Sequence, residues 1–309
     1  MKGPLEAPTV SVVVTTYNQA HFLGEAIQSV LAQTSRNIEI IVVDDESSDD
    51  PGKVAREYGV RYLRQKNQGV AGARNTGLRE VKGEFVVFLD ADDRLLSHAI
   101  ETNLKTFEAH PECAFVCGHH LKIAADGSPL DSVASLCADG NHYQQLLQRN
   151  YIGPPAVVMY KRDVFDSVGP LDEHASPADD YELYLRIARD FPIHCHHEVI
   201  VEYRLHSTNT SHDYDYMLKQ ALRVLHAQRR YVKGNAAYRR SLKVGVKNAR
   251  QGYGDQVVDG IRRRVKARQN WGQVVLGVAK LLRHNSRDIA IHGVRKMRHV
   301  ILRKQKESL

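Results

Sequence analysis

Three carboxylates lie within four residues of one another at the end of an unbroken apolar run. The run is Phe85–Leu89, and the acids that follow it are Asp90, Asp92 and Asp93. A run without polar alternation predicts a strand buried on both faces, and ligands bind at the carboxyl ends of such strands in parallel sheets. Because neighbouring carboxylates repel one another, the group favours a hard divalent cation that keeps coordination positions open for substrate phosphates.

The same acids also admit a purely structural interpretation. Asp92 and Asp93 precede a helical pattern, and carboxylates at a helix N-terminus interact favourably with the helix dipole. The apolar residues of that pattern are Leu95, Ala99, Ile100, Leu104 and Phe107.

The elements that must position these acids alternate between strand and helix. Strands are predicted at Val10–Thr15, Ile38–Val43, Val60–Arg64 and Phe85–Leu89. Between them, an amphipathic helix is predicted around residues 22–31 and another near Val70–Arg79. This alternation predicts an α/β fold in which helices flank a mostly parallel sheet.

Polar residues follow three of the predicted strands. They are Thr15–Asn18, the pair Asp44 and Asp45, and Asp90–Asp93. Because the carboxyl ends of parallel strands meet at one edge of a sheet, we expect these residues to form one site.

The glycine-bearing turn after the third strand argues against a dinucleotide enzyme. The segment Gln68–Asn75 contains only G-x-x-G. It lacks the three-glycine spacing that lets a pyrophosphate approach the backbone. An NAD-dependent enzyme is therefore disfavoured.

Beyond Ala109 the pattern is less regular. Short strands are predicted near Ala114–Gly118, Ala156–Tyr160 and Ile193–Val201, and a helix is predicted from Asp179 to Asp190. From about residue 216 the chain reads as four or five amphipathic helices. We therefore expect a catalytic domain at residues 1–216 and a helical region at residues 217–309.

Composition restricts the class of protein further. The chain has 309 residues and is 42% hydrophobic, which is enough for a sizeable core. It has no apolar run of the roughly 18 to 20 residues that a membrane span needs, and its first residues lack the apolar core of a signal peptide. We expect a cytoplasmic protein. The four cysteines form no C-x-x-C pair, which predicts buried free thiols.

Charge divides the chain into two parts. Residues 219–309 hold 24 Lys and Arg against 4 Asp and Glu, a net of +20, whereas residues 1–218 hold 19 against 32, a net of −13. Such asymmetry suggests that the basic part meets an anionic surface or polymer.

Five segments in order resemble the family 2 glycosyltransferases, over roughly residues 8–212. They are residues 10–18, residues 41–49, residues 69–77, residues 90–93 and residues 179–186. The resemblance implies a GT-A fold, a nucleotide-diphosphate-sugar donor, a divalent metal and inversion at the anomeric carbon.

The resemblance also implies roles for the donor-site residues. Thr15 and Tyr17 match residues that cradle the nucleotide base, and Asp45, with Asp44 beside it, matches a carboxylate that reads uracil. Arg74 and Asn75 match a motif that lines the donor site, where an arginine offsets diphosphate charge.

Further roles concern metal and catalysis. Asp90 is expected to face ribose or sugar, and Asp92 and a late histidine, His206, are expected to bind Mg²⁺ or Mn²⁺. Asp93 is expected to cap the following helix. Asp180 is the expected general base of a single displacement. Asp179 stands where the family usually has glutamate.

These implications give a ranked set of functions. The first is an inverting, metal-dependent hexosyl- or N-acetylhexosaminyl-transferase that uses a UDP-sugar to modify a glycan or lipid-linked acceptor in cell-surface polysaccharide biosynthesis. The second is a catalytically silent nucleotide-sugar-binding scaffold. A nucleotidyltransferase is the third, although it gives Asp180 and His206 no task.

The basic region is expected to dock reversibly on the inner face of an anionic membrane. A short apolar stripe recurs at helical spacing among cations, as in interfacial helices. It comprises Ala290, Val294, Met297 and Ile301, with Arg287, Arg295, Lys296, Arg298, Arg303 and Lys304 around it. The alternative is that the stripe packs on protein and the cations form a solvated face. Nucleic-acid binding is disfavoured because aromatic residues are scarce among these clusters.

Overall fold

The computed structural model describes residues 9–130, 140–207, 209 and 213–267. The chain divides into two compact units. Unit 1 comprises residues 1–146 and 150–209, and unit 2 comprises residues 147–149 and 210–309.

Unit 1 is built on one sheet, which has eight strands in the described residues, in the order β3-β2-β1-β4-β7-β6-β8-β5. The strands are β1 (Val10–Thr16), β2 (Ile38–Asp44), β3 (Arg61–Arg64), β4 (Phe85–Asp90), β5 (Arg94–Leu95), β6 (Phe115–Ala124), β7 (Val158–Lys161) and β8 (Ile193–Leu205). Strands β1, β2, β3 and β4 pair in parallel, and β6 pairs in parallel with β8. The pairings β4–β7, β6–β7 and β5–β8 are antiparallel.

The central strands are buried, and most of their residues are apolar. Every residue of β1 is buried, and so are the first five residues of β4. Helices cover the sheet. They are α1 (Ala20–Leu31), α2 (Pro51–Glu57), α3 (Gly69–Leu78), α4 (Ala99–Ala109), α5 (His142–Leu146), α6 (Val164–Val168) and α7 (Asp179–Asp190). Strands that are buried on both faces are rich in apolar residues, which is the pattern that β1 and β4 have.

The prediction of free thiols is wrong for two cysteines. Cys117 on β6 and Cys195 on β8 lie opposite each other in the parallel pair and form a disulfide. They are 78 residues apart in sequence, so the strand pairing that brings them together was not visible in their spacing. Cys113 is buried and free, and Cys137 lies outside the described residues.

Unit 2 is helical where it is described. It contains α8 (Tyr214–Ala227), a 3₁₀ turn at Gln228–Arg230 and the 32-residue α9 (Ala236–Ala267). An added Cβ on Gly245 would overlap the backbone carbonyl of Leu147, so this glycine permits close packing of α9 on residues 147–149. Within the described residues, no helix is long and apolar enough to cross a membrane. The apolar stripe predicted at residues 290–301, and its flanking cations, lie outside the described residues.

Candidate active site

The ends of β1, β2 and β4 lie side by side. Thr15 is in register with Asp90, and Thr16 is in register with Asp44. The Thr15 hydroxyl donates a hydrogen bond to Oδ1 of Asp90 at 2.9 Å. The polar residues that follow the three strands therefore share one edge of the sheet, where ligands of open α/β sheets bind.

Arg74 on α3 connects two acidic elements of this edge. Its Nη1 donates to Oδ2 of Asp179 at 2.7 Å, and its Nη2 donates to both oxygens of Asp90, at 2.8 and 3.0 Å. Arg74 is 4% exposed and Asp179 is fully buried. Burial opposes the charge of Arg74, but Asp90, Asp179 and Asp180 outweigh it and raise the pKa of the guanidinium. The arginine thus ties α7 to the end of β4 through charge-assisted hydrogen bonds.

Small residues bring α3 close enough to the sheet for this contact. The buried face of the helix includes Ala71, Gly72, Ala73 and Gly77. A Cβ on Gly77 would overlap the side chain of Val13 on β1. The glycine therefore allows the helix to lie directly against the strand.

Asp180 lies in the first turn of α7, next to Asp179. The residue is half-buried, and its Oδ1 accepts the N–H of Tyr181 at 2.6 Å. The pKa of Asp180 is raised to about 7, chiefly because burial disfavours its charge and also because Asp179 is adjacent, against the opposing effect of Arg74. A carboxyl group with this pKa is suited to accept a proton near neutral pH.

Asp92 and His206 form a second pair at the same edge. His206 Nε2 lies 2.8 Å from Oδ2 of Asp92, and the same oxygen accepts the Gln19 amide at 3.0 Å and the Asn209 amide at 3.4 Å. Burial and the charge of Asp90 raise the pKa of Asp92, whereas His206 lowers it. The structure therefore brings together the two residues that the sequence predicts as metal ligands.

Arg204 holds the backbone of the Asp92–Asp93 turn. Its backbone N–H donates to Oδ1 of Asp93 at 2.9 Å, and its Nε donates to the carbonyl of Asp92 at 2.8 Å. It is 1% exposed, and its Nη2 donates to Glu25 at 2.6 Å. A buried arginine with several directed donors fixes the turn in one geometry.

The helix-cap interpretation of the acids is therefore wrong. Helix α4 begins only at Ala99, because the short strand β5 and a turn come between it and Asp93. Asp93 is bonded to β8 through Arg204 instead. Burial, with Asp92 and Asp90 nearby, raises the pKa of Asp93 well above its usual range.

Asp44 and Asp45, at the end of β2, differ in how many of their carboxylate oxygens accept hydrogen bonds. Both oxygens of Asp44 are bonded, Oδ1 to the N–H of Ser47 at 2.8 Å and Oδ2 to the hydroxyl of Tyr62 at 2.6 Å. Oδ1 of Asp45 accepts two N–H groups. Its Oδ2 has no hydrogen-bond partner in the described part of the chain, so Asp45 alone of the pair keeps an oxygen for a ligand. Tyr17, which directly follows β1, is 51% exposed.

Asn75 has a positioning task in this structure. Its side-chain amide donates to the carbonyl of Leu171 at 3.0 Å and to Glu173 at 3.2 Å, and its Oδ1 accepts the N–H of Leu171 at 2.9 Å. These bonds tie α3 to the segment before α7. Contact between Asn75 and a donor stays a prediction.

Several residues at the site had no role assigned from the sequence. They are Gln19, Glu25, Gln65, Asp179, Arg204 and Asn209. Arg204 and Asn209 belong to the same short segment as His206, and that adjacency was an available signal. Asp179 was noted beside the predicted base, but its bond to Arg74 joins residues 105 positions apart.

Comparisons with known proteins show the family of the chain. The family model described as glycosyl transferase family 2 matches residues 11–169. An uncharacterized glycosyltransferase of Rickettsia felis is 34% identical over 197 residues, which cover 60% of this chain and 31% of that relative. The present chain thus spans less than a third of the length of that relative.

Two solved structures share the fold. One is TarS 1-349 of S. aureus in complex with UDP-GlcNAc, with a TM-score of 0.55 and 18% identity over 96% of this chain and 92% of that chain. The other is the mannosyltransferase PcManGT of Pyrobaculum calidifontis with GDP-Man and Mn²⁺, with a TM-score of 0.58 and 16% identity over 96% of this chain and 81% of that chain. The predicted α/β fold of GT-A type, with a mostly parallel sheet flanked by helices, is confirmed.

Proposed function

Since the chain belongs to glycosyl transferase family 2, we propose that it is an inverting glycosyltransferase that moves a sugar from a UDP-sugar donor to a hydroxyl of a glycan or lipid-linked acceptor. The observation that carries this proposal is the bond network in which Arg74 joins Asp90 on β4 to Asp179 on α7. It fixes the turn that holds Asp180 relative to the sheet edge that holds Asp92.

Asp180 is the proposed general base. In a single displacement, the acceptor oxygen bonds to the anomeric carbon as the bond from that carbon to the diphosphate breaks, and the acceptor proton passes to a carboxylate. Asp180 is partly exposed and makes no bond to Arg74, so its carboxylate is available to an acceptor. A pKa of about 7 balances the ionised fraction of this base against its proton affinity.

Asp92 and His206 are the proposed ligands of Mg²⁺ or Mn²⁺. A carboxylate oxygen and an imidazole nitrogen 2.8 Å apart form a donor set that suits these ions. No group of three or more His, Cys, Asp or Glu side chains that could hold a metal occurs in the described residues. Two protein ligands leave positions for diphosphate oxygens, which is typical of magnesium sites. When bound, the ion would offset the charge of the departing diphosphate.

The proposed donor nucleotide is UDP because of the residues after β1 and β2. Asp45 keeps one carboxylate oxygen for the ring N–H of uracil, and Tyr17 presents an exposed ring on which a base can stack. A UDP-sugar in one structural neighbour and GDP-mannose with Mn²⁺ in another support the donor class.

The helical unit supports a second part of the proposal, which is reversible attachment to the cytoplasmic face of an anionic membrane. We define the α9 cations as the exposed residues Arg239, Arg240, Lys243 and Lys247. Val244, which is 42% exposed, lies among them. Each cation close to an anionic surface contributes about 1 kcal/mol of attraction. Attachment of this kind would place the enzyme near lipid-linked acceptors.

A donor screen tests the function. Each of several nucleotide sugars is incubated with the protein, Mn²⁺ and candidate acceptors, and release of the nucleoside diphosphate is measured. We expect release from a UDP-sugar to depend on the acceptor and on Mn²⁺, and nuclear magnetic resonance of the product to show an inverted anomeric configuration. Nucleotide-sugar binding without release would support a silent binding protein and contradict the proposal.

A further inference from the structure

One oxygen of the Asp45 carboxylate is saturated by the protein itself. Oδ1 accepts the side-chain amide of Gln65 at 2.8 Å and the backbone N–H of Gln68 at 2.9 Å. Asp45 is 4% exposed. With two donors on Oδ1, the carboxylate cannot rotate freely, and Oδ2 is held as a directed acceptor without a partner in the described residues.

Gln65 is held beside Asp45 by hydrogen bonds from both its backbone and its side chain. Gln65 directly follows β3, and its backbone N–H is bonded to the carbonyl of Asp44 at 2.9 Å, which fixes the residue beside β2. The amide orientation is set because only its nitrogen can donate to a carboxylate. The other end of the amide, Oε1, is buried and has no partner in the described part of the chain. Leaving this buried acceptor unpaired costs free energy, which the bond from the amide nitrogen to the Asp45 carboxylate offsets.

Oδ2 of Asp45 would present a hydrogen-bond acceptor to a bound base. Uracil carries a ring N–H that such an acceptor would bind, whereas cytosine carries a ring nitrogen lone pair at the same position. An ionised carboxylate repels that lone pair. A carboxylate that is held in one orientation discriminates between the two bases better than a carboxylate that can turn away.

On the basis of the proposed function, we propose that Gln65 is a positioning residue that sets nucleobase preference by locking Asp45 in the orientation that accepts a ring N–H. The residue acts through Asp45, so its effect falls on donor binding and not on the transfer step. Loss of the Gln65 donor should raise the KM for the UDP-sugar and leave kcat at saturating donor unchanged.

A double-mutant cycle with UDP and CDP tests this proposal. Binding of each diphosphate is measured by calorimetry, with Mn²⁺ present, in the wild type, Gln65→Met, Asp45→Asn and the double variant. We expect Gln65→Met to weaken UDP binding by about five- to thirty-fold and to lower the preference for UDP over CDP. Because Gln65 acts through Asp45, we expect it to have no further effect in the Asp45→Asn background. Gln28→Met, which alters an exposed glutamine bonded to Tyr58, is the matched control and should keep the UDP preference.

Two results would overturn the proposal. One is an unchanged ratio of UDP to CDP affinity in Gln65→Met, and the other is full additivity of the two substitutions. If Gln65→Met does not fold, Gln65→Glu replaces it in the test. This variant keeps the shape of the side chain but removes its N–H donor, so it should also weaken UDP binding by at least about fivefold. Sugar transfer by the wild type distinguishes a failure of the role proposed for Gln65 from a failure of the proposed function. If the wild type transfers sugar and Gln65→Met keeps its base preference, only the role of Gln65 fails, whereas a wild type that binds neither diphosphate refutes the proposed function as well.

Discussion

Replacing the proposed base by its amide, Asp180→Asn, separates chemistry from donor binding. The amide oxygen can still accept the N–H of Tyr181. None of the three hydrogen bonds of Arg74 involves residue 180, so its bonds to Asp90 and Asp179 should persist. Removing a positioned base typically costs about 10²- to 10⁴-fold in rate. We expect a loss of kcat within that range and a donor affinity within about threefold of the wild type, since the amide is isosteric with the carboxyl group.

The pH dependence gives this prediction a second readout. With a pKa of about 7, about nine-tenths of the wild-type Asp180 is ionised at pH 8 and about one-tenth at pH 6. We therefore expect the transfer rate to fall about tenfold between these values in the wild type. The residual rate of Asp180→Asn should lack this step. Steady-state rates between pH 5.5 and 8.5, with UDP release as the signal, provide the measurement.

Stability supplies the internal control for the same variant. The pKa of Asp180 is raised in the folded state, so folding takes up a proton, and the stability of the wild type falls as pH rises from about 4 through about 7. The amide carries no such penalty. Asp180→Asn should therefore be more stable than the wild type at pH 8, with a difference that shrinks as the pH falls from about 7 to about 4. A variant that is less stable at pH 8 and has lost donor affinity would refute the assignment and give Asp180 a structural role.

Three further predictions concern other parts of the molecule. Asp92→Ala and His206→Ala should each weaken Mn²⁺ binding about tenfold or more, as measured by electron paramagnetic resonance; unchanged Mn²⁺ affinity would remove the pair as ligands. Arg74→Met should lower the free energy of unfolding, measured by urea titration, by about 3 to 5 kcal/mol, because it leaves the fully buried Asp179 without its cation. The double variant Arg74→Met with Asp179→Leu should recover part of that loss. Replacing the four α9 cations by glutamate should weaken co-sedimentation with anionic vesicles at low salt, whereas equal sedimentation of both proteins would show that these side chains are a solvated face.

The fold followed from the sequence where the chain is locally regular. The helix predicted at Asp179–Asp190 has these bounds in the structure, and the strand predicted from Ile38 begins there. Strand β6 was predicted to end at Gly118 but continues to Ala124. Its second half includes His119, His120 and Lys122, which interrupt the apolar pattern, and it is held by backbone pairing to β8 that no local pattern reveals. For the same reason β8 extends beyond Val201 to Leu205.

The candidate site was predictable to the extent that it lies at strand ends. The apolar runs fix where β1, β2 and β4 stop, and so they fix which polar residues follow. Local sequence could not distinguish Asp44 from Asp45, since the difference depends on Tyr62 and Gln65, which arrive from β3 and the residue after it. The resemblance to the family also implied that Arg74 offsets diphosphate charge. In the structure, Arg74 donates hydrogen bonds to Asp90 and Asp179. An interaction between Arg74 and the diphosphate stays a prediction, and the diphosphate would have to share the arginine with these two carboxylates.

Because Arg74 is already paired with Asp90 and Asp179, we expect binding of the donor and binding of the divalent cation to depend on each other. Asp90, Asp92, Asp179 and Asp180 share this edge, and Arg74 already pairs with two of them, Asp90 and Asp179. The donor brings further negative charge, so we expect a divalent ion to be needed for tight UDP binding. By linkage, Mn²⁺ should strengthen UDP binding by the same factor as UDP strengthens Mn²⁺ binding, and we expect about tenfold or more. Calorimetric titrations of each ligand with and without the other measure both factors. Equal UDP affinity in EDTA and in Mn²⁺ would show that the protein alone balances the diphosphate charge and that its carboxylates are less ionised than their number suggests.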